Sequence, residues 1–173
     1  LTPTRIQTVY RSWPQDLGPV PVGADASTGI YFRPETGGQQ VLVGSVLAED
    51  EEEVIEDPDD YKRVPDAAFT EIKLAAFHHR VPELEARGGV SGVAGLYTIN
   101  REDVHPVVGP SGVDGLWVAN GFSGHGFKLA PSIGSLVAQA YTGASIEFDT
   151  DVPMSFLSVD REPIDVAVKN VLA

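Results

Sequence analysis

GLWVANGFSGHGFKLAPSIGSLVAQAYT, residues Gly115 to Thr142, decides how the rest of the chain is read. It opens with a short apolar run, Leu116 to Ala119, of the kind that makes a buried strand. A glycine-rich turn follows, with Gly121, Gly124 and Gly126 close together. Leu129, Ile133, Leu136, Val137 and Ala140 then recur at helical spacing, which predicts an amphipathic helix. A strand, a glycine turn and a helix in that order aim backbone N–H groups and the positive end of a helix dipole at whatever lies above the turn. Glycine lets a ligand approach the backbone, because no side chain stands in the way. The turn is therefore a site for an electron-rich or anionic group.

Outward from that stretch, the chain of 173 residues is long enough for a real core, and 42% of its residues are hydrophobic, ordinary for a globular protein. Its net charge of −13 argues against nucleic acid and anionic membrane as partners and favours good solubility. It has no cysteine, hence no disulfide and no thiolate metal site. No apolar run approaches the ~18 residues of a membrane span, and the opening Leu-Thr-Pro-Thr-Arg lacks a basic-then-apolar leader layout. The expected location is cytoplasmic. The missing initiator methionine suggests a trimmed chain or a fragment.

In chain order, Thr4 to Trp13 alternates like a strand of a half-exposed sheet. Pro14 to Ser27 reads as loop. Gly29 to Arg33 and Gln40 to Leu47 read as strands, joined by Pro34-Glu35-Thr36-Gly37-Gly38 as a hairpin. Such a sheet needs a cover on one face. Ala48 to Asp60 holds nine of the 25 carboxylates; it lacks the order of a calcium loop and reads as a solvated loop. Pro65 to Leu84 contains a helix with Phe69, Ile72, Ala76 and Phe77 as its apolar stripe, ended by Pro82. His78 and His79 point about 100° apart on it and are read as structural. Val90 to Asn100 is a further strand, and His105 is read as a surface loop residue. Ile164 to Leu172 is read as one amphipathic helix. No metal site and no catalytic side chain is assigned.

Gly121-Phe122-Ser123-Gly124-His125-Gly126-Phe127-Lys128-Leu129-Ala130-Pro131 resembles the C-terminal signature of the FAD-dependent amine and amino-acid oxidoreductases, the group of D-amino-acid oxidase, glycine oxidase and the sarcosine and dimethylglycine oxidising enzymes. Gly95-Leu96-Tyr97-Thr98 and Pro106-Val107-Val108-Gly109-Pro110 resemble the family's preceding strand and Pro-Gly-Pro run, and Val152 to Arg161 resembles its closing stretch. The resemblance is weak from Thr4 to Leu47 and strong from Gly95 to Arg161. It implies an α+β fold: an antiparallel or mixed substrate-covering sheet with one or two helices (residues 1–110), the last strand, turn and helix of an incomplete FAD-binding α/β domain (111–161), and a tail (162–173). The family's G-x-G-x-x-G fingerprint, which cradles the FAD pyrophosphate, does not occur.

By resemblance, the chain is a C-terminal fragment of an enzyme that oxidises the C–N bond of an amino acid or N-methylated glycine by hydride transfer to FAD, inactive alone and not retaining the cofactor. Gly121, Phe122, Ser123, Gly124, His125, Gly126, Phe127 and Lys128 are the expected cofactor-binding residues, with the amides of Ser123 to Phe127 facing the negative edge of the flavin. Tyr97 and Lys128 are the expected substrate contacts; a lysine in a helix's first turn is electrostatically disfavoured and so points to function. The implied partners are a small-molecule amino-acid or amine substrate and either the missing N-terminal FAD-binding half or further copies of the chain. Without cysteine, and without histidine in Val41 to Val46, the covalent FAD links of some relatives are excluded. The competing reading is a non-catalytic subunit or interaction domain that completes a site with a partner chain. A hydrolase elbow is ruled out, because G-x-S-x-G would need glycine at His125.

Overall fold

A computed structural model describes residues 1–84 and 88–167. The chain divides into two units, one of Thr4–Leu96 and one of Leu1–Pro3 with Tyr97 onward. Its elements are β1 (Thr2–Ser12), β2 (Gly23–Asp25), β3 (Ile30–Glu35), β4 (Gln40–Ser45), α1 (Ala67–Arg80), β5 (Val90–Ile99), β6 (Val107–Pro110), β7 (Trp117–Asn120) and α2 (Gly126–Thr142). The mixture of helix and antiparallel sheet is that of an α+β fold.

The first unit is built on a sheet in the order β2-β3-β4-β1-β5. β3 and β4 pair antiparallel from Ile30↔Ser45 to Glu35↔Gln40, and β4 pairs β1 from Thr8↔Gly44 to Ser12↔Gln40. The period-2 alternation of these strands sends Val9, Ile30, Val41 and Val43 inward, all fully buried. The α1 face seals Ile30, Val41 and Val43 with Phe77, whose ring centroid lies 5.2 Å from Phe32 and 6.4 Å from Trp13. The segment read as loop, Pro14 to Ser27, contains the short strand β2, paired to β3 through Gly23↔Phe32. Three residues with two glycine-or-alanine positions carry too little periodicity to be read as a strand.

Two sequence expectations are corrected here. The expected apolar stripe of α1 holds at Phe69, Ala76 and Phe77 but not at Ile72, which is exposed; the buried residues are Phe69, Lys73 and Phe77, at spacing i, i+4, i+8. The acidic run is not simply solvated. Two fully buried cations reach it, Lys73 to Asp50 at 2.7 Å and Arg5 to Glu53 at 2.7 Å. Arg5 also binds Asp66 at 2.9 Å and the carbonyls of Lys62 and Val64, and Lys73 reaches the Gly29 carbonyl. Buried charges need such partners, so part of the acidic run serves as their counter-charge. Asp66, the residue before α1, gives its carboxylate to Lys62 and Arg5, which hold its pKa down at about 2, and makes no side-chain cap.

In the second unit β6 and β7 pair antiparallel from Val107↔Asn120 to Pro110↔Trp117. Val108, Ile133 and Leu157 form its buried core, flanked by Phe122, Leu129, Val137 and Met154. The Val108 amide donates to the Leu157 carbonyl at 2.7 Å, which ties the closing stretch to β6. α2 ends at Gly143, whose left-handed φ of 69° allows its N–H to reach the Gln139 carbonyl. β7 is not the buried strand its apolar run suggests. Its pairing partner is β6, Trp117 and Val118 are half-buried, and Ala119, Asn120 and the preceding Leu116 are exposed. Residues 164–167 are not helical, and the remainder of the C-terminal helix expected over Ile164 to Leu172 lies outside the described residues.

Candidate functional site

The corner between β7 and α2 is held from the inside. A single bridge pairs Ile99, at the end of β5, with Phe122. The Ser123 amide donates to the Thr98 carbonyl at 3.1 Å, and the His125 amide to the Phe122 carbonyl at 2.7 Å. Gly121 and Gly124 take φ of 73° and 80°, which glycine adopts without cost. Ser123, between them, takes φ 48° although it carries a side chain. Its hydroxyl accepts from the Asn100 amide at 3.0 Å and donates to the Gly121 carbonyl at 3.1 Å, so Ser123 is buried and fully used inside the fold.

The expectation that all amides from Ser123 to Phe127 face outward is therefore corrected. Those of Ser123 and His125 are engaged at the corner. Among the described residues, the N–H groups of Gly124, Gly126, Phe127 and Lys128 meet no acceptor. Three of them belong to the first turn of α2, where N–H groups have no partner within the helix and carry the positive end of its dipole. Pro131, the sixth residue of α2, gives no hydrogen bond back to the Phe127 carbonyl. The helix has no side-chain cap, so the corner presents a cluster of amide donors without a resident oxygen.

Around it, Phe127 is 98% exposed and Lys128 is exposed, its amine in the first turn as expected. Gly124 is exposed, while Phe122, His125 and Gly126 are half-buried. Tyr97 is half-buried on β5, next to Thr98, whose carbonyl the corner uses. Alternation puts its side chain on the opposite sheet face from that of Thr98. The structure thus places Tyr97 and the whole run from Gly121 to Lys128 in one unit.

Three residues that sequence reasoning passed over bind the corner from behind. Asn100 donates from its side chain to Asp103 at 2.9 Å and to the His105 carbonyl at 2.8 Å. Asp103, fully buried, also accepts from the amides of His105 and Ile164 and from Arg161. Burial alone would raise the Asp103 pKa; Arg161 and the two amides outweigh it, and the net shift is downward. The carboxylate is ionised through the neutral range. Its contribution to stability is complete above the ordinary carboxylate value and is lost as pH falls through the depressed one. The sequence signal was slight: an Asn-x-x-Asp spacing after a strand, which also marks countless ordinary turns.

His105 is not the surface residue expected. It is half-buried, with Nδ1 2.7 Å from the Asp103 carbonyl and its ring edge-on to Phe156. In the other unit His78 is half-buried, and burial with nearby Arg11 lowers its pKa, which keeps it neutral. No cluster of metal-ligating side chains occurs among the described residues. Nor is any helix there long and apolar enough to cross a membrane.

The corner at the start of α2, with four amides that meet no acceptor among the described residues, belongs to a chain of α+β content. The chain matches the FAD dependent oxidoreductase (DAO) family over residues 3–140, and it belongs to that family. It is 39% identical over 132 residues to FAD-dependent oxidoreductase domain-containing protein 1 of Bos taurus, covering 73% of this chain and 26% of that protein. The protein of the same name in Xenopus laevis is 36% identical over 115 residues, covering 65% of this chain and 22% of that one. The chain thus spans about a quarter of the length of these relatives. Among solved structures, L-proline dehydrogenase from P. horikoshii is similar with a TM-score of 0.66 and 22% identity, over 91% of this chain and 39% of that one. Glycine oxidase from Geobacillus kaustophilus gives 0.60 and 23%, over 92% and 39%. At these identities the likeness is one of fold.

Proposed function

We propose that this chain is the flavin-facing C-terminal portion of an enzyme that oxidises the C–N bond of an amino acid or N-methylated glycine. The observation that carries the reading is the group of four amides, Gly124, Gly126, Phe127 and Lys128, without an acceptor among the described residues. They suit an electron-rich ring edge, and the exposed glycine among them leaves room for it. FAD, when bound, supplies the acceptor for the hydride that leaves the substrate carbon. The corner's own part is electrostatic: fixed N–H dipoles need no reorganisation when negative charge builds up in front of them, and the helix end alone is worth ~0.3–1 kcal/mol exposed and up to ~2 when partly buried. Lys128 binds the substrate carboxylate through its ammonium, and Tyr97 supplies an aromatic wall. Residues 1–110 form the substrate-covering part and residues 111–161 the flavin-facing one.

The nucleotide-binding half lies in polypeptide outside these residues. Two observations support that. The fingerprint that cradles the pyrophosphate is absent from the sequence, and the outer face of α2 carries Phe127 and Tyr141, 98% and 76% exposed, beside a β7 that is only half covered. The same exposed face favours a second reading, a subunit that completes its site with a separate partner chain.

Purified alone, the 173-residue chain is expected to hold no flavin and to show no oxidase activity. A visible spectrum with near-stoichiometric flavin would overturn the fragment reading. In a full-length protein that contains the chain, Lys128→Ala is expected to raise KM for the amino-acid substrate about tenfold with FAD content unchanged. Wild-type KM and turnover in that variant would leave Lys128 a structural residue. A separately encoded partner that restores flavin binding to the 173-residue chain would decide for the subunit reading.

A further inference from the structure

We propose that Asp103 and Arg161 are positioning residues for the corner, acting on it through Asn100 and Ser123. The inference rests on the proposed flavin-facing role for its functional meaning, while its structural part stands on hydrogen bonds alone. From the closing stretch, Arg161 pairs with Asp103. Asp103 holds the Asn100 side chain, the Asn100 amide binds the Ser123 hydroxyl, and that hydroxyl binds the Gly121 carbonyl. Every member from Asp103 to Ser123 is buried. The line therefore runs without a break, and with little access to water, from residue 161 to the first glycine of the corner.

Backbone strain lies at both ends of this line. Val104, next to Asp103, has φ 57°, and Ser123 has φ 48°. Left-handed backbone is uncommon for a serine and an outlier for a β-branched valine. Such conformations cost of order 1–3 kcal/mol each and persist only where the surroundings over-determine them. Here the surroundings are identifiable. The Asp103 carboxylate fixes Val104 by accepting from the His105 amide at 2.9 Å, and the Asn100 amide fixes Ser123. With Ser123 fixed, its own N–H reaches the Thr98 carbonyl, and the amides of Gly124, Gly126, Phe127 and Lys128 meet no acceptor among the described residues. If the line is cut, nothing keeps Ser123 left-handed, and an extended Ser123 re-aims the amides that follow. The buried Asp103 charge matters because hydrogen bonds to an ion are about twice as strong as neutral ones.

The test reads the corner before it reads any cofactor. In the 173-residue chain, Asp103→Asn, the milder Arg161→Lys and the local Ser123→Ala are compared with wild type by amide hydrogen exchange. Asp103→Asn is expected to speed exchange of the Asn100 and Ser123 amides tenfold or more, with Arg161→Lys giving a smaller rise at the same two positions. The C-terminal half of α2 and the sheet of Thr4–Leu96 are expected to stay as protected as in wild type. Should Asp103→Asn unfold the unit, the Arg161→Lys result decides. Unchanged exchange at Asn100 and Ser123 in folded Asp103→Asn or Arg161→Lys overturns the proposal, as does loss of protection spread evenly over the unit in both. In a full-length protein, the Ser123→Ala and Arg161→Lys variants are expected to weaken FAD affinity about tenfold and to shift the flavin spectrum. A loosened corner with unaltered FAD affinity would sink the flavin-facing role and leave the positioning line standing.

Discussion

The two units bury their residues in different ways. In Thr4–Leu96 the core closes on itself: strands and helix face one another across Phe77, and two of its buried cations, Arg5 and Lys73, find carboxylates within the same unit. In the unit from Tyr97 onward, Val108, Ile133 and Leu157 form a buried cluster, while Phe127, Tyr141 and Phe148 stand 76% exposed or more. Among its buried polar groups Asn100, Asp103 and Ser123 are all paired, while the Nε of Arg161 is buried without a hydrogen-bond partner among the described residues. One unit buries its aromatic rings around Phe77, and the other leaves large rings open to solvent.

The sharpest way to break that contrast is at the centre of the first unit. Phe77→Ala removes the ring that joins α1 to Trp13 and Phe32 and is expected to cost ~3–5 kcal/mol, read from urea unfolding of the 173-residue chain. A loss below ~1 kcal/mol would mean that the sheet does not depend on its helix. Next comes the Lys73 pair. Asp50→Asn strands a buried ammonium and is expected to cost ~3 kcal/mol, whereas Lys73→Met, which fills the same space and frees Asp50 to water, is expected to cost under ~1 kcal/mol. Equal losses in thermal denaturation would show that the ion pair itself stabilises the fold beyond an apolar side chain of the same size. The smallest effect belongs to the second unit. Phe127→Ser is expected to change stability by less than ~0.5 kcal/mol, since the ring touches water on nearly every side. A loss above ~1 kcal/mol, growing with protein concentration, would show that copies of the chain cover one another there.

The hydrophobic alternation of Val9, Val41 and Val43 and the helical spacing of Ile133 and Leu136 were legible in the sequence, because burial of apolar side chains follows period directly. So was the corner, since three glycines between an apolar run and an amphipathic stretch leave few other conformations. What was not legible depends on partners far away in the chain. The burial of Arg5 and Lys73 is not legible, because nothing local reveals that Glu53 and Asp50 will neutralise them. Ile72 reads as core because it is apolar, yet Lys73 takes the inward position. The apolar β7 reads as buried, but a strand's burial is decided by its neighbours, and among the described residues it pairs with β6 alone. Ser123 was singled out for its amide; its hydroxyl and its left-handed backbone turn out to set the geometry instead.

The acidic run has a consequence for ionic strength. A net charge of −13 makes the chain repel itself, and dissolved salt relieves that repulsion among carboxylates that face water. The contacts of Glu53 and Asp50 with Arg5 and Lys73 are shielded by the fold on the cation's side, where mobile ions do not enter. Salt therefore acts first on the carboxylates that face water, and screens less the pairs whose cations are buried.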